Sequence, residues 1–215
     1  MNRADPLVQT YGAEVGVRTM VVDGLQSTLS LWWLDCDSEL LFVGDAGTTE
    51  PSRPSRRYGV EWANFYNLTK NWTIDADFSF SHAEFRDNEI DPGTGLPVGQ
   101  HIPGSIESVI AAGITYRADN GFFGSVRLRY FGPRPLIEDN SVRSDDTLMV
   151  NAQVGYHFNQ TWTATMEVLN LLDRKDHDID YYYESQTTPG GTPNTEIHFH
   201  PVEPIQVRAA LTARF

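Results

Sequence analysis

The residue types that do chemistry are plentiful in this chain but poorly grouped. Its one cysteine, Cys36, lies between Asp35 and Asp37. With no thiol partner, no nearby histidine and acidic neighbours that oppose a thiolate, it carries neither a disulfide nor a nucleophile. Asp87, Asn88, Glu89 and Asp91 crowd in front of Pro92 and Gly93, yet they lack the spacing and terminal glutamate of a calcium loop. His198 and His200 share one side of a strand-like stretch, but two ligands without a third make a poor metal site. Asp173, Asp176, Asp178 and Asp180 form another acidic series, which a hydrated strand end accounts for as well as a bound cation does. No carboxylate pair comes with a nucleophile, a cleft or a ligand set. The expectation is a protein that is not an enzyme and that holds no cofactor and no metal.

A second set of charges is informative through its spacing. Glu14, Glu61, Asp75, Asp77, Arg127, Arg129, Glu167, Arg208 and Arg214 each fall opposite an apolar series of period two. The last stretch is typical: Ile205, Val207, Ala209, Leu211, Ala213 and Phe215 alternate with Gln206, Arg208, Ala210, Thr212 and Arg214. Such a pattern is a strand with one apolar and one polar face. In a soluble sandwich the apolar face must meet a second layer. In a membrane barrel it meets lipid, and the polar face meets the lumen, with about 9 to 11 residues spanning the hydrocarbon. Asp75 and Asp77 would be costly in a dry core and are tolerated on a wet face. The nine charged residues are therefore lumen-facing candidates.

The elements that position them follow from the same alternation. About nine strands begin near residues 11, 26, 57, 72, 105, 121, 146, 161 and 204. Residues 26–43 are expected to form one long strand or a strand with an irregular centre, interrupted at Asp35-Cys36-Asp37, with a bulge near Ser38 accommodating the return. Residues 44–56, with Pro51 and Pro54, are expected to be loop. The strand after Val168 is expected to emerge at Tyr181, Tyr182 and Tyr183, with a last loop over residues 185–203. Breaks near Asp23, Lys70, Asn120 and Asn159 are short, whereas those beginning near Gly44, Arg86, Gly132 and Ser185 run to about 13–19 residues. An antiparallel meander then places all short turns at one end and all long loops at the other, as in an outer-membrane barrel. Four long structureless loops are unusual in a compact soluble domain. Trp72, Tyr116, Tyr130, Tyr156 and Trp162 sit near strand ends, where interfacial girdles form.

Composition narrows the classes further. A net charge of −13 over 215 residues leaves no basic surplus for nucleic acid. A mean hydropathy of −0.37 is ordinary for a soluble protein, but a barrel with polar loops and a polar lumen has it too. No run approaches the roughly 20 apolar residues of a spanning helix, and the opening residues from Met1 do not form a signal peptide.

Residues 167–175, Glu-Val-Leu-Asn-Leu-Leu-Asp-Arg-Lys, precede an aromatic strand end, a long loop, and a strand from Pro204 that ends Ala213-Arg214-Phe215. This order resembles the C-terminal barrel region of TonB-dependent outer-membrane receptors. Asn170, Leu171, Asp173 and Arg174 match the family's motif, while Leu172 stands where an aromatic is common. Residues 34–40 and 57–61 are similar to the family as well. The resemblance implies an all-β, antiparallel transmembrane β-barrel segment, about nine of roughly 22 strands around a plug. It implies a receptor for a bulky ligand such as a ferric siderophore, located in the cell outer membrane, with Phe215 read by the outer-membrane assembly machinery. Nothing in residues 1–215 resembles the plug or its TonB-contacting segment. The expected partners are thus the lipid bilayer, the missing N-terminal barrel half with its plug, and TonB only through that part. A passive porin-like barrel, a soluble carbohydrate-binding β module and a nonfunctional receptor fragment are the alternatives.

Overall fold

The computed structural model describes residues 7–43, 47–186 and 188–215; the expectation on the opening residues lies outside them. The described chain is all-β, with thirteen strands. Nine of them form one antiparallel sheet: β1 (Thr10–Thr19), β2 (Leu25–Cys36), β5 (Ser55–Asn67), β6 (Trp72–Phe85), β7 (Ser108–Arg117), β8 (Phe122–Phe131), β9 (Thr147–His157), β10 (Trp162–Leu169) and β13 (Gln206–Ala213). Each neighbours the next in that order, so the sheet is a meander. Two separate hairpins stand outside it, β3 (Leu40–Val43) with β4 (Thr48–Pro51), and β11 (His177–Ser185) with β12 (Asn194–Pro201).

The ladder registers define the faces. Val15 lies opposite Leu31, Leu31 opposite Val60, and Val60 opposite Phe80. Farther along, Ala112, Leu128 and Val150 are in register, as are Val154, Met166 and Ala209. Directly opposite residues share a face, so the apolar series of successive strands merge into one surface. That surface is uncovered: Val15, Val207 and Leu211 are each more than 60% exposed. Among the described residues the buried apolar side chains are Cys36, Phe85, Ile102, Pro135 and Leu136, and all five lie at or beyond the long-loop ends of the strands. Among the described residues no second layer packs on the sheet. Its hydrophobic surface therefore has no protein to meet.

Connections 20–24, 68–71, 118–121 and 158–161 are short, and connections 37–54, 86–107, 132–146 and 170–205 are long. Two short turns dock on the next hairpin through glycines. Gly24 and Gly121 have φ of 75° and 96°, a region that L side chains rarely adopt. Their carbonyls accept the Asn67 and His157 amides at 2.8 and 2.9 Å. A Cβ on Gly24 would lie 2.5 Å from the Asn67 carbonyl oxygen, so this turn accepts only glycine without moving. At the same end Trp72 packs on Tyr116 and Phe122 on Tyr156, with ring centroids 4.6 and 4.5 Å apart.

Three expectations need correction. Residues 26–43 are not one bulged strand: β2 stops at Cys36, and β3 pairs with β4 instead. The Asp37 amide is drawn to the Gln9 carbonyl, and the Glu39 carbonyl accepts from Ser52, which turns the chain. Residues 44–56 are not all loop, because β4 ends at Pro51 and a proline is tolerated at the end of an edge strand; residues 44–46 lie outside the described residues. Finally, Tyr181, Tyr182 and Tyr183 do not end a sheet strand. They belong to β11, whose partner β12 occupies much of the expected last loop.

Candidate functional site

Eight of the nine charged candidates lie in sheet strands on the face opposite the apolar surface, and Arg214 follows the end of β13. Glu14 is in register with Trp32, and Glu61 with Ser30 and Ser79. Asp75, Gly113, Arg127 and Asn151 form one row, and Asp77, Ala111, Arg129 and Met149 the next. Glu167 lies opposite Gln153 and Arg208, and Arg214 extends the same even-numbered series of β13. Arg127 grips Asp75 with both terminal nitrogens, at 2.9 and 3.2 Å. Gly113 leaves the space between them: a Cβ there would meet both partners at 3.0 Å. Arg129 lies over the Phe131 ring at 5.3 Å. Arg208 turns along its own strand to Gln206 at 3.3 Å. Among these nine candidates the acids lie on β1, β5, β6 and β10, and the arginines on β8, on β13 and just past its end.

The long-loop end is a polar network that periodicity does not reveal. Asp35, 6% exposed, receives Arg56 at 2.9 and 3.0 Å and Arg86 at 3.3 Å, while Arg86 also holds Asp37. Cys36 sits buried and free between the two aspartates. Arg53 joins three loops: it lies over Phe85 at 4.1 Å, donates to the Gly99 carbonyl, and pairs with Asp87, Glu89 and Glu138. Burial pushes the Glu138 carboxyl above the ordinary range, with Arg53 pulling the other way. Arg134 ties β11 to this body, donating to the Asp178 carbonyl at 3.0 Å and the Asp180 carboxylate at 2.9 Å. Asp180 also meets His177 at 2.6 Å, and His177 stacks on Phe199. Between this body and β11 is a cavity of about 710 Å³.

The sequence motif acts as a knot. Asn170 is fully buried with φ 49°, and Asp173 has φ 47°, so the chain leaves β10 abruptly. The Asn170 side chain donates to the carbonyls of Arg174 and Glu203 at 2.8 and 3.0 Å and accepts the Arg174 amide at 3.1 Å. Its own amide donates to Asn151, and Leu171 donates to the Val150 carbonyl. Asp173 accepts the Ile205 amide at 3.2 Å, just before β13 begins. Arg174 pairs with Asp176 at 2.7 Å, which holds its guanidinium more firmly protonated than usual. The motif therefore joins β9, β10 and the entry to β13.

The other candidates disperse. Asp176 takes Arg174 and the Leu148 amide, whereas Asp180 takes Arg134 and His177. Asp91 caps its own turn through the amides of Gly93 and Thr94. His198 stacks on Tyr183 at 4.1 Å. Among the described residues no three histidines, cysteines or acids are placed to hold a metal ion. Sequence reasoning missed Arg53 and Arg134. Their partners lie tens of residues away, and no local pattern signals them.

Comparison with known proteins places this arrangement. The profile of the family described as TonB dependent receptor-like, beta-barrel, matches residues 9–171. Among solved structures, the chain is similar to the ferric-catecholate import receptor Fiu from E. coli K12 in its closed form, with a TM-score of 0.70 and 20% identity over 97% of this chain and 28% of that one. It is similar to the ferric yersiniabactin uptake receptor FyuA from Yersinia pestis, with a TM-score of 0.67 and 15% identity over 97% of this chain and 30% of that one. The siderophore receptor PiuA from Acinetobacter baumannii gives a TM-score of 0.69 and 15% identity, over 96% of this chain and 28% of that one. The chain thus spans under a third of the length of each of these receptors. By the profile match over most of its length, the chain belongs to the TonB-dependent receptor β-barrel family.

Proposed function

We propose that this chain forms part of an outer-membrane receptor for TonB-dependent uptake of a bulky ligand such as a ferric siderophore. The observation that carries the reading is the nine-stranded meander with one uncovered apolar face, one charged face and two open edges, β1 and β13. The apolar face is satisfied by lipid, and the charged face by a wet lumen. The open edges are satisfied only by further strands, because an unpaired backbone group in hydrocarbon costs several kcal/mol. In this reading the remaining barrel strands and a plug complete the receptor, and TonB acts through that other part. Phe215, fully exposed past the end of β13, is read by the assembly machinery.

The test is ligand accumulation in receptor-deficient cells expressing this chain with an export signal, the complete receptor, or the chain together with the remaining barrel and plug. Uptake is expected only from the last two and only with TonB present. In the complete receptor, Phe215→Ser is expected to lower the surface-accessible fraction without changing total receptor. Uptake by the chain alone would overturn the reading of it as part of a larger barrel. Unchanged surface display would remove the role of Phe215.

A further inference from the structure

The apolar face of the sheet is not smooth. Between β6 and β10 it carries a groove of about 510 Å³, within the range of small-molecule sites. The groove exists because two small residues stand among large ones. Gly124 lies opposite Tyr116 and Ala152 opposite Val168, and a Cβ on Gly124 would meet no side chain within 4 Å. The two ends of the groove differ. Trp72 opens β6 and Tyr116 is the next-to-last residue of β7, so this end lies at the short turns. Met166 and Val168, at the other end, stand four and six residues past Trp162, the first residue of β10. That is roughly 14 and 20 Å along the strand. With strands tilted by about 45°, these residues lie roughly 10 and 14 Å below the interface, near the middle of an apolar band about 25 Å tall. The groove crosses from β6 to β10, four ladder steps that cover about 19 Å. It opens at the water boundary and ends deep in hydrocarbon, a shape that receives the tail of an amphiphile.

The polar groups at the shallow end identify the head of that amphiphile. Turns 68–71 and 118–121 are tied together there. The Lys70 ammonium meets the Asp119 carboxylate at 2.5 Å, with both side chains 74% exposed, and Asn71 donates to the Arg117 carbonyl. Trp72 follows directly and packs on Tyr116, a pair of amphipathic rings suited to the headgroup level. Lys70 and Asp119 present one positive and one negative group side by side to solvent. A zwitterionic headgroup meets both with opposite charges, its phosphate on Lys70 and its ammonium on Asp119, whereas an anionic headgroup gains Lys70 and is opposed by Asp119. We infer that the groove holds one acyl chain of a zwitterionic phospholipid whose headgroup rests on the Lys70–Asp119 pair. The groove is continuous with the lipid-facing surface, so its occupant is drawn from the bilayer. Neighbouring acyl chains are as apolar as the groove, and burial of apolar area therefore does not favour one chain over the rest. Contact with a fixed wall and the headgroup pairing do. The inference rests on the receptor reading, since only a face turned to lipid presents this groove to a bilayer.

The experiment uses the complete receptor in detergent, with heat-modifiable electrophoretic mobility as the readout of barrel formation. The probes are dioleoyl phosphatidylethanolamine and dioleoyl phosphatidylglycerol, added separately, and native mass spectrometry counts the lipid retained as detergent is raised. Wild type is expected to retain a single phosphatidylethanolamine saturably and phosphatidylglycerol about threefold more weakly, the scale of one exposed ion pair. Asp119→Asn should erase that preference, because only Lys70 then faces the headgroup. Ala152→Leu fills the floor of the groove and should lower phosphatidylethanolamine retention about tenfold. Ala13→Leu, on the same apolar face but opposite Trp33 on β2, should leave it unchanged. Equal retention of the two lipids by wild type, or an unchanged preference in Asp119→Asn, would overturn the inference, as would equal losses in Ala152→Leu and Ala13→Leu. Asp119 lies in a turn outside the sheet, so its variant decides the matter even where Ala152→Leu forms no barrel. A formed wild-type barrel that retains no single lipid overturns this inference alone, whereas failure of the wild type to form a barrel overturns both it and the receptor reading.

Discussion

Asn170 shows how a short motif becomes a structural joint. It satisfies two carbonyls and one amide from segments separated by up to 33 residues, inside a site with no exposure. Alanine would leave those buried groups unpaired, a loss of about 3 kcal/mol in unfolding free energy of the assembled receptor. Glycine would accept the φ of 49° yet lose the same bonds, so equal tolerance of Asn170→Gly and wild type in urea titrations would refute this account. Glu138 makes a different prediction. Its folded-state pKa is raised, chiefly by burial, so above the ordinary value of 4.5 the folded chain retains a proton that the unfolded chain has released. Its contribution is full below that value and declines as pH rises through the folded pKa. The urea midpoint of wild type should fall more steeply than that of Glu138→Gln from about pH 4.5 upward; parallel profiles would reject the assignment. The motif positions at Asn170 and Asp173 were legible in the sequence, but their work was not. A positive φ and a bond to the Glu203 carbonyl arise only once the chain returns for β13. Arg53 and Arg134 were illegible for the same reason.

The strands themselves were largely legible, because period-two alternation is imposed residue by residue by the pleat. Every sheet strand starts within three residues of its expected position. The two accessory hairpins were not legible. Leu40–Val43 is a continuous apolar run without alternation, its partner ends in Pro51, and Tyr181–Tyr183 looked like the end of a spanning strand. What distinguishes them is that the preceding sheet strand stops, β2 at Cys36 where the Asp37 amide bonds Gln9, and β10 at the Asn170 turn. The alternation also yields a directional test. Leu128 and Val150 are cross-strand partners on the apolar face, and Asn151, opposite Arg127, is on the charged face. Arginine at Leu128 or Val150 should cost about 2 to 4 kcal/mol if that position lies near the bilayer midplane. Arginine at Asn151 should cost less, although it loses the acceptor of the Asn170 amide. Reversible folding into lipid vesicles measures both, and a larger penalty at Asn151 would invert the assignment of faces.

At the scale of the whole molecule, the nine-stranded sheet cannot close on itself with the usual antiparallel seam. With an odd number of antiparallel strands, β1 and β13 run in the same direction, and each has a neighbour on one side only among the described residues. Their outer backbone groups need either water or another strand, and hydrocarbon supplies neither. The middle of the sheet has no such need: β6, β7 and β8 are each paired on both sides. A gradient of protection follows. For the chain inserted alone in detergent micelles, amide hydrogen exchange should be fast along β1 and β13 and slow along β6 to β8. In the complete receptor the edges should become as protected as the centre, because new ladders cover the groups left open. Exchange at Val15 and Leu211 reports the two edges, and exchange at Ala112 reports the centre. If Val15 and Leu211 are as protected in the chain alone as Ala112, the edges have found partners without further strands, by pairing between copies or by closing on each other. The need for a larger barrel would then fall. If protection appears at both edges only in the complete receptor, the open margins of this sheet are the seams at which the rest of the barrel joins it.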